Sequence, residues 1–431
     1  MKTIDTERDW KELQSHLPFD YEQLAKEHGL INAQWSNAKV REAEPMLRMM
    51  LLHAGADLGL RQTVATIAQA GGPKMTQVWL HQKMRRAQPY LAALIARMTQ
   101  DVDGTPERWS GYEMLCLDAT VMCGPGATCP DARIHAVLRL HDLKICEVEV
   151  TGASGGETLR RFSWEANQLV IVDRGYSNAS GIAHVVEQGA DVLVRLNRGA
   201  LPLYDEQAVV NALEWCRTLR GHRAAERAVH ILYKGARDPM PIRGRLIGFR
   251  LPEKEARSAR ERLRRECGSN VTPEQLQAAE YIMLFTTTST ERLSASRCVE
   301  AYRLRWQVEL QFKRWKSLCH FDRLPNYRED TIRSWLSAKV LLGLLLDRIG
   351  SAEGSTTLDS RTRPQARQPW KVAAIAWPLI VAALLPLRLA NAGPCLSAIA
   401  DQLDAFDAVA SENRQIAHFR LRFPLSNGKI A

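Results

Sequence analysis

The stretch YRLRWQVELQFKRWK, residues Tyr302 to Lys316, decides how the rest of the chain is interpreted. At about 100° per residue, a helix over these residues brings Tyr302, Arg305, Glu309 and Lys316 into a sector of about 60°. The adjoining sector is apolar and consists of Leu304, Val308, Phe312, Trp315 and Cys319. Such a stripe is typical of a helix that packs on a core. The pattern therefore predicts one helix that holds Glu309 at the edge of a core, with two cations and a phenol beside it.

The spacing also fits a plainer interpretation, in which this face is solvated. Arg305 and Glu309 then form an i,i+4 ion pair, which stabilises a helix by about 0.2–0.5 kcal/mol and has no catalytic role. On spacing alone this is the commoner case, so the choice depends on features elsewhere in the chain.

Two apolar runs upstream are each followed by an aspartate. Met114 to Leu117 precedes Asp118, and the run QLVIV, residues 168–172, precedes Asp173. A charged residue after an apolar run is also an ordinary strand terminator, so neither aspartate alone indicates catalysis. Around them the pattern predicts strands over Ile134 to Leu140, Ile145 to Val150 and Asp191 to Leu196, and a helix over Ser180 to Gln188.

Taken together, these features resemble a known family. Tyr, two residues, Arg, three residues, Glu, six residues and Lys, downstream of two aspartates on apolar strands, is similar to the signature of bacterial insertion-sequence transposases of the DDE type. The matching subgroup is the cut-and-paste one named for its Tyr-Arg-Glu-Lys box. The features extend over nearly half of the chain.

The resemblance implies an α/β fold with a ribonuclease-H-like mixed sheet flanked by helices. It also implies a β-rich insertion, an N-terminal helical DNA-binding domain and a C-terminal helical tail. Three strands in hairpin succession, followed by helix, strand, helix and strand, is the element order of that fold. Asp118 and Asp173 are then expected at the carboxyl ends of neighbouring buried strands, where ligands collect in open sheets.

The predicted domains follow shifts in the sequence pattern. Residues 1–104 are predicted to form the helical domain, residues 105–198 and 281–350 the two parts of the catalytic domain, residues 199–280 the insertion, and residues 351–431 a linker and tail. The linker is expected over Gly350 to Pro369. The apolar segment Val372 to Pro386 is too short for a membrane span and is interpreted as a buried helix pair.

Two further segments carry basic residues that suit DNA. In LRQTVATIAQ followed by TQVWLHQKMRRAQ, a Gly-bearing break separates two helices, and the second ends in Lys83, Arg85 and Arg86. This is the outline of a helix-turn-helix, although an ordinary helical hairpin fits equally well. In the insertion, Glu253 to Glu266 is predicted to be a charged helix. Its arginines either contact phosphates or lie on a solvated, mixed-charge face.

The chemistry follows from bringing three carboxylates together. Two Asp and one Glu repel one another, so cations are expected among them. Hard carboxylate oxygens suit Mg²⁺ or Mn²⁺, and two ions about 3.5–4 Å apart can activate a water and stabilise the leaving oxygen of a phosphodiester. The resemblance implies two such ions, with Asp118 bridging both and Asp173 and Glu309 holding one each. Attack by water then nicks a DNA strand, and attack by the freed 3′-hydroxyl joins it to another.

The resemblance also implies which side chains contact DNA. Arg305 and Lys316 would hold the backbone of the transposon end, and Tyr302 would hydrogen-bond a phosphate of the same strand. The subgroup sets an aromatic residue, typically Trp, against a base flipped out beside the cleavage point, and Tyr281 stands at the matching position. A Tyr at a strand start with its hydroxyl at the surface is the plainer interpretation of Tyr281.

The composition of the chain indicates which binding partners and which cellular compartment to expect. The 431 residues include 58 Lys and Arg against 48 Asp and Glu, a net charge of +10, which favours a polyanionic partner. The expected partners are terminal inverted repeats, target DNA and a second copy of the chain, which the resemblance joins through the tail from Lys371 onward. A charged N-terminus without a secretory signal and an odd, scattered set of nine cysteines fit a bacterial, cytoplasmic, nucleoid-associated protein.

Four other functions are disfavoured. A zinc site at Cys116, Cys123, Cys129 and His135 lacks close ligand pairs. A nucleotide cofactor is not expected, because no Walker loop is present. A glycosidase would need a carboxylate pair and no basic groove. The main alternative, a catalytically silent DNA-binding regulator derived from a transposase, would be expected to lack a carboxylate, and all three are present.

Overall fold

The computed structural model describes residues 4–31, 40, 42–70, 72–100, 109–124, 126, 131–234, 239–325, 328–353, 369–385 and 388–389. Its N-terminal part is helical, as predicted, with one short strand. The elements are β1 (Ile4–Asp5), α1 (Thr6–Ser15), α2 (Tyr21–Glu27), α3 (Ala43–Gly55), α4 (Leu60–Gln69), α5 (Gln77–Arg86) and α6 (Gln88–Gln100). The last of these helices was not recognised in the sequence.

The predicted pair of helices, α4 and α5, is present, and the two pack against each other. Thr76 begins α5 because its hydroxyl accepts a hydrogen bond from the backbone N–H of Trp79 at 3.2 Å. Leu80 and Met84 on α5 are buried. The pair is therefore docked on the rest of the protein through the apolar side of α5.

A mixed β-sheet follows. Its elements and the helices between them are β2 (Glu113–Met122), β3 (Ala132–Arg139), β4 (Lys144–Gly152), β5 (Gln168–Val172), α7 (Ala179–Glu187), β6 (Asp191–Arg195), β7 (Leu203–Tyr204), β8 (Val209–Val210), α8 (Ala212–Arg217), β9 (Ala225–Lys234), β10 (Pro239–Arg250), α9 (Glu253–Cys267), α10 (Pro273–Ala278) and β11 (Tyr281–Thr286). In the described residues these strands form one sheet of ten, in the order β4-β3-β2-β5-β6-β11-β10-β9-β7-β8.

The centre of the sheet is parallel and the flanks are antiparallel. β5 pairs in parallel with β2 on one side and with β6 on the other. Parallel strands are covered on both faces, which is why the run QLVIV is almost continuously apolar. Leu169, Val170, Ile171 and Val172 are all fully buried. The mixed α/β class predicted from the sequence is confirmed.

One edge of the sheet concerns the site. β5 ends just before Asp173, and its parallel neighbour β6 ends at Arg195. β11 runs antiparallel to β6, so its first residue, Tyr281, lies at the same edge, where it pairs with Arg250, the last residue of β10. We call this edge, defined by Asp173, Arg195, Tyr281 and Arg250, the carboxyl edge.

The stretch predicted as a β-rich insertion continues the same sheet. β11 joins β6 to β10, so the insertion strands and the central strands share one hydrogen-bonded array. The division of the chain into domains stays a prediction.

Four helices and a short strand complete the described chain: α11 (Ala295–Leu304), α12 (Trp306–Cys319), α13 (Glu329–Glu353), α14 (Pro369–Ala383) and β12 (Arg388–Leu389). α13 contacts α3, α5, α6, α12, α14, β3 and β4, so it joins the N-terminal helices to the sheet. β12 pairs with β1.

Two predictions about the C-terminal part were wrong. The predicted linker begins too early, because α13 continues through Gly350 to Glu353; residues 354–368 lie outside the described residues. The predicted helix pair is one helix, α14, with Pro378 inside it. Proline removes one backbone hydrogen bond, but the buried Ala376 and Ile380 keep both halves packed on the core. None of the helices in the described part of the chain is long and apolar enough to cross a membrane.

Candidate active site

Asp118 and Asp173 lie on neighbouring strands, as predicted. Asp173 directly follows β5. Asp118 does not end its strand, and that part of the prediction was wrong. β2 pairs with β5 only as far as Cys116, but its antiparallel pairing with β3 continues to Met122. Asp118 therefore lies two residues beyond the last parallel pair, still held in the sheet by β3.

The predicted single helix over Tyr302 to Lys316 is two helices that meet at Arg305. The N–H of Arg305 donates to the carbonyl of Tyr302 at 3.1 Å, and the N–H of Val308 donates to the carbonyl of Arg305 at 3.2 Å. These i→i−3 bonds tighten the chain at the junction. The apolar stripe is confirmed, since every member is buried: Leu304, Val308, Phe312, Trp315 and Cys319.

The Tyr and Arg of this segment contact all three carboxylates. The hydroxyl of Tyr302 donates to Oδ1 of Asp173 at 2.7 Å. Arg305 donates from Nη1 to Oδ2 of Asp118 at 3.1 Å and from Nη2 to Oε1 of Glu309. The i,i+4 pair of the plainer interpretation is thus present, but Arg305 also bonds to Asp118, and Tyr302 bonds to Asp173, both from distant parts of the chain.

The electrostatics of the two aspartates differ. Burial raises the pKa of Asp118 to about 6, against the opposing effects of Arg305 and of the Ala119 N–H, which donates to Oδ1 at 2.8 Å. Burial also acts to raise the pKa of Asp173, but Arg305 and the Tyr302 hydroxyl outweigh it and hold that pKa below its ordinary value. Asp173 is therefore ionised at neutral pH, whereas Asp118 loses its proton near pH 6.

Arg305 carries the positive charge of the cluster. Burial works against its charged form, but Tyr302, Asp173, Asp118 and Glu309 together raise the pKa of Arg305 above its ordinary value. Burial likewise raises the pKa of the Tyr302 hydroxyl, which stays protonated as a donor. The site thus contains three acids around one permanently charged guanidinium.

The comparisons with known proteins bear directly on this arrangement. Residues 109–345 match the family model described as the transposase DDE domain, and the match covers more than half of the chain. The chain belongs to the transposase DDE domain family.

Two relatives from Escherichia coli agree with this. The transposase for insertion sequence element IS421 is 28% identical over 349 residues, a match that covers 79% of this chain and 93% of the relative. InsL, described as a transposase for insertion sequence element IS186A in strain K12, is 28% identical over 348 residues with the same coverage. The prediction of an insertion-sequence DDE transposase is confirmed, and the Tyr-Arg-Glu-Lys subgroup stays a prediction.

Members of this family generally use divalent metal ions. The residues of the transposase fit such ions, because its three acids offer hard carboxylate oxygens and already need a cation, which Arg305 provides. Among the described residues, no three His, Cys, Asp or Glu side chains lie close enough together to hold a metal ion. Two of the acids are held by the guanidinium instead of converging on one point.

A pH dependence of metal affinity follows from Asp118. A carboxylate must lose its proton to bind a metal, and the raised pKa means that the proton is held below about pH 6. The Mn²⁺ concentration that half-saturates the DNA-free transposase should rise about tenfold per pH unit below pH 6 and level off above pH 7. Electron paramagnetic resonance of free Mn²⁺ measures this directly. A flat profile between pH 5 and 7 would contradict the assignment.

Arg305→Gln tests the cation role of the guanidinium. Without metal, the variant leaves the acids without their counter-charge. Loss of the hydrogen bond to Asp118 costs about 1.5–3 kcal/mol of stability. Loss of the ion pair with Glu309 costs less, because the Glu309 side chain is 43% exposed. The Tm in EDTA should fall, and Mn²⁺ should restore more stability to the variant than to the wild type. Arg303→Gln, an exposed neighbour on α11, is the matched control; an equal drop in both variants would refute the role.

The other predicted residues are dispersed. Lys316 lies apart from the acids, with Nζ donating to the carbonyl of Val121 on β2 at 3.1 Å. Tyr281 is at the carboxyl edge, but it is 6% exposed and packs in the core under the sheet. A base could reach it only after that packing opens.

The three basic residues of the second helix that are predicted to contact DNA differ in their contacts within the protein. Lys83 donates to the carbonyl of Leu30 at 3.0 Å, and Arg85 pairs with Asp330 at 2.7 Å, at the start of α13. Arg86 is exposed. At the disfavoured zinc site, His135 is buried with its Nε2 3.1 Å from the Thr151 hydroxyl, and Cys129 lies outside the described residues.

Two arginines of the site were missed in the sequence. Arg195, at the end of β6, acts electrostatically on Asp173 and Tyr302, and the exposed Arg174 directly follows Asp173. Both could have been found from position alone, because a basic residue at the end of a central parallel strand faces the same edge as the aspartate beside it.

Proposed function

We propose that the chain is a cut-and-paste insertion-sequence transposase of the Tyr-Arg-Glu-Lys subgroup, built on a ribonuclease-H-like core. It binds the terminal inverted repeats of its element, cleaves the strands at the element's ends and joins the freed ends to target DNA. One observation carries the proposal: the Tyr and Arg of the signature bond to all three carboxylates, Asp118, Asp173 and Glu309. A solvated helix face gives no reason for this convergence.

Asp118, Asp173 and Glu309 are proposed to hold two Mg²⁺ or Mn²⁺ ions. When bound, the ions would activate the attacking oxygen and stabilise the leaving oxygen of an in-line phosphoryl displacement. Asp173 is already ionised for this role. Asp118 releases its proton near pH 6, so both aspartates are ionised at neutral pH.

Arg305 and Tyr302 are proposed to change partners when DNA arrives. The Nε of Arg305 is buried and has no hydrogen-bond partner among the described residues. An unpaired buried donor costs about 1–3 kcal/mol, and a phosphate oxygen would relieve that cost. Lys316 is proposed to contact the backbone of the same strand, and Arg195 and Arg174 add positive charge beside Asp173. Such contacts position the strand without reading its sequence.

The rest of the chain is proposed to select and pair the ends. Residues 1–104 would recognise the terminal repeats through Lys83, Arg85 and Arg86, with Arg85 first releasing Asp330. Tyr281 is proposed to stack on an unpaired base during end processing. The tail from Lys371 is proposed to join two copies in a paired-end homodimer.

The proposal is tested with the purified full-length protein and linear DNA that carries both ends of its element. In Mg²⁺ we expect strand breaks at the junction of element and flank, each leaving a 3′-hydroxyl, and joined products once target DNA is added. EDTA and ends of scrambled sequence are the controls. Absence of breaks with both Mg²⁺ and Mn²⁺, or breaks without regard to the ends, would contradict the proposal.

A further inference from the structure

Helix α9 buries almost nothing, which is unusual for a helix of fifteen residues. Ala256 is the one buried residue among its described side chains. Its packing side is narrow and consists of Ala256 and the half-buried Ala259 and Leu263. An isolated helix of this length is marginal in water, so this small apolar side alone gives the helix little stability.

One ion pair joins α9 to the sheet. Arg260 pairs with Glu280, next to the start of β11, at 2.6 Å, and also with Glu253 of α9 itself at 2.8 Å. The following helix α10 is tied down as well, since Arg198 pairs with Glu274 at 2.6 Å. Arg198 lies three residues beyond Arg195, so the helical hairpin is attached close to the carboxyl edge.

The side of α9 away from Ala259 and Leu263 is basic and exposed. At about 100° per residue, Lys254, Arg257, Arg264 and Arg265 fall within about 100° of one another, and Glu261 is the one acid in that sector. We call these five residues the α9 basic face. In the described part of the chain Lys254 and Arg264 form no salt bridge, and Arg257 pairs only with Glu261, at 3.0 Å.

The α9 basic face stands near the acids. α9 starts three residues after Arg250, which is at the carboxyl edge. Three strand spacings separate β10 from β5, so Arg250 is about 14 Å across the sheet from Asp173. α9 itself is about 22 Å long. Arg260, in the middle of α9, pairs with Glu280, the residue before Tyr281 at the same edge. A duplex with a strand at Asp173 therefore spans the distance to the middle of α9 within one helical turn, which is about 34 Å.

We propose that the α9 basic face binds the phosphate backbone of the duplex whose strand lies at Asp118 and Asp173. The inference rests on the proposed function and adds a second backbone contact outside the acids. Arg264 and Arg265 are both exposed and lie at the two limits of the face, so they would contact different phosphates. The contact supplies affinity and register and no base specificity.

The test uses the full chain, a labelled duplex of random sequence and fluorescence anisotropy over a range of KCl concentrations. Each phosphate contact adds about 0.9 to the slope of log affinity against log salt. Arg264→Gln/Arg265→Gln should lower that slope by about 1.8 and weaken binding. Because these side chains cover no core, the Tm should not change. An unchanged slope would overturn the proposal.

A matched pair of acids separates a local contact from net charge. Glu261→Gln removes an anion inside the face, and Glu266→Gln removes one from the same helix outside it. Glu261→Gln should strengthen duplex binding, and Glu266→Gln should change it much less. Equal effects would mean that only net charge matters and would overturn the proposal. Random-sequence binding does not depend on cleavage, so this outcome is distinguishable from a failure of the proposed function.

Discussion

Asp118→Asn, Asp173→Asn and Glu309→Gln are each expected to reduce cleavage of the element's ends by about 10³-fold or more, an increase of about 4 kcal/mol in the barrier. Each amide keeps the size of the side chain but removes one charged oxygen ligand from a displacement that depends on compensated charge. The acids do not read bases, so binding to the ends should change little. Cleavage of a labelled end, measured beside a gel shift, separates the two effects.

Glu300→Gln is the matched control for Glu309→Gln. Glu300 is exposed on α11, two residues before Tyr302, and should be replaced without loss of cleavage. Robust cleavage by any one of the three site variants would remove that residue from the catalytic set. Loss of end binding in step with cleavage would instead indicate a folding defect.

The clustering of Tyr302, Arg305 and Glu309 could be predicted because it depends on local geometry. Helical spacing brings residues three, four and seven apart to one side whatever the rest of the fold does. The junction at Arg305 does not follow from that spacing. It contains neither Pro nor Gly, and helix periodicity is nearly the same on both sides of it.

The prediction that Asp118 ends its strand failed because the end of a strand depends on the strands that pair with it. The run before Asp118 is apolar because β5 covers it, whereas residues 119–122 stay in the strand only through β3. A strand end is set by the neighbouring strand, which cannot be read from the residues of the strand itself. The insertion strands joined the central sheet for a similar reason, since β11 offers a second hydrogen-bonding edge to β10.

A buried charge in α13 also depends on residues that are distant in the sequence. Residues 334–349 of α13 are mostly apolar, and Lys339 lies among them with 0% exposure. Its Nζ donates to Oδ1 of Asp57 at 2.5 Å and to the carbonyls of Cys319 and His320 at 3.0 and 2.8 Å. Asp57 is 282 residues away, so no local pattern indicates the pair.

Lys339→Met is the second large effect that we expect. The substitution keeps most of the volume but leaves the Asp57 carboxylate and two carbonyls without their donor. Those carbonyls end α12, where His320 has a left-handed φ of 55° and the last turn lacks intrahelical partners. Removing one partner of a buried ion pair costs about 3–5 kcal/mol. The midpoint of urea unfolding of the full chain should fall accordingly.

Two further variants make this prediction specific. Lys11→Met, at an exposed position of α1, should change the midpoint little. Lys339→Met/Asp57→Asn should recover part of the loss, because the second change removes a charge that would keep only the more distant Arg323, at 3.9 Å, as an ion-pair partner among the described residues. If the double variant is as unstable as the sum of both single variants, the pair is not coupled. Because Asp57 joins α3 to α4 and the carbonyls end the helix that carries Glu309, Lys339→Met should also lower cleavage more than end binding.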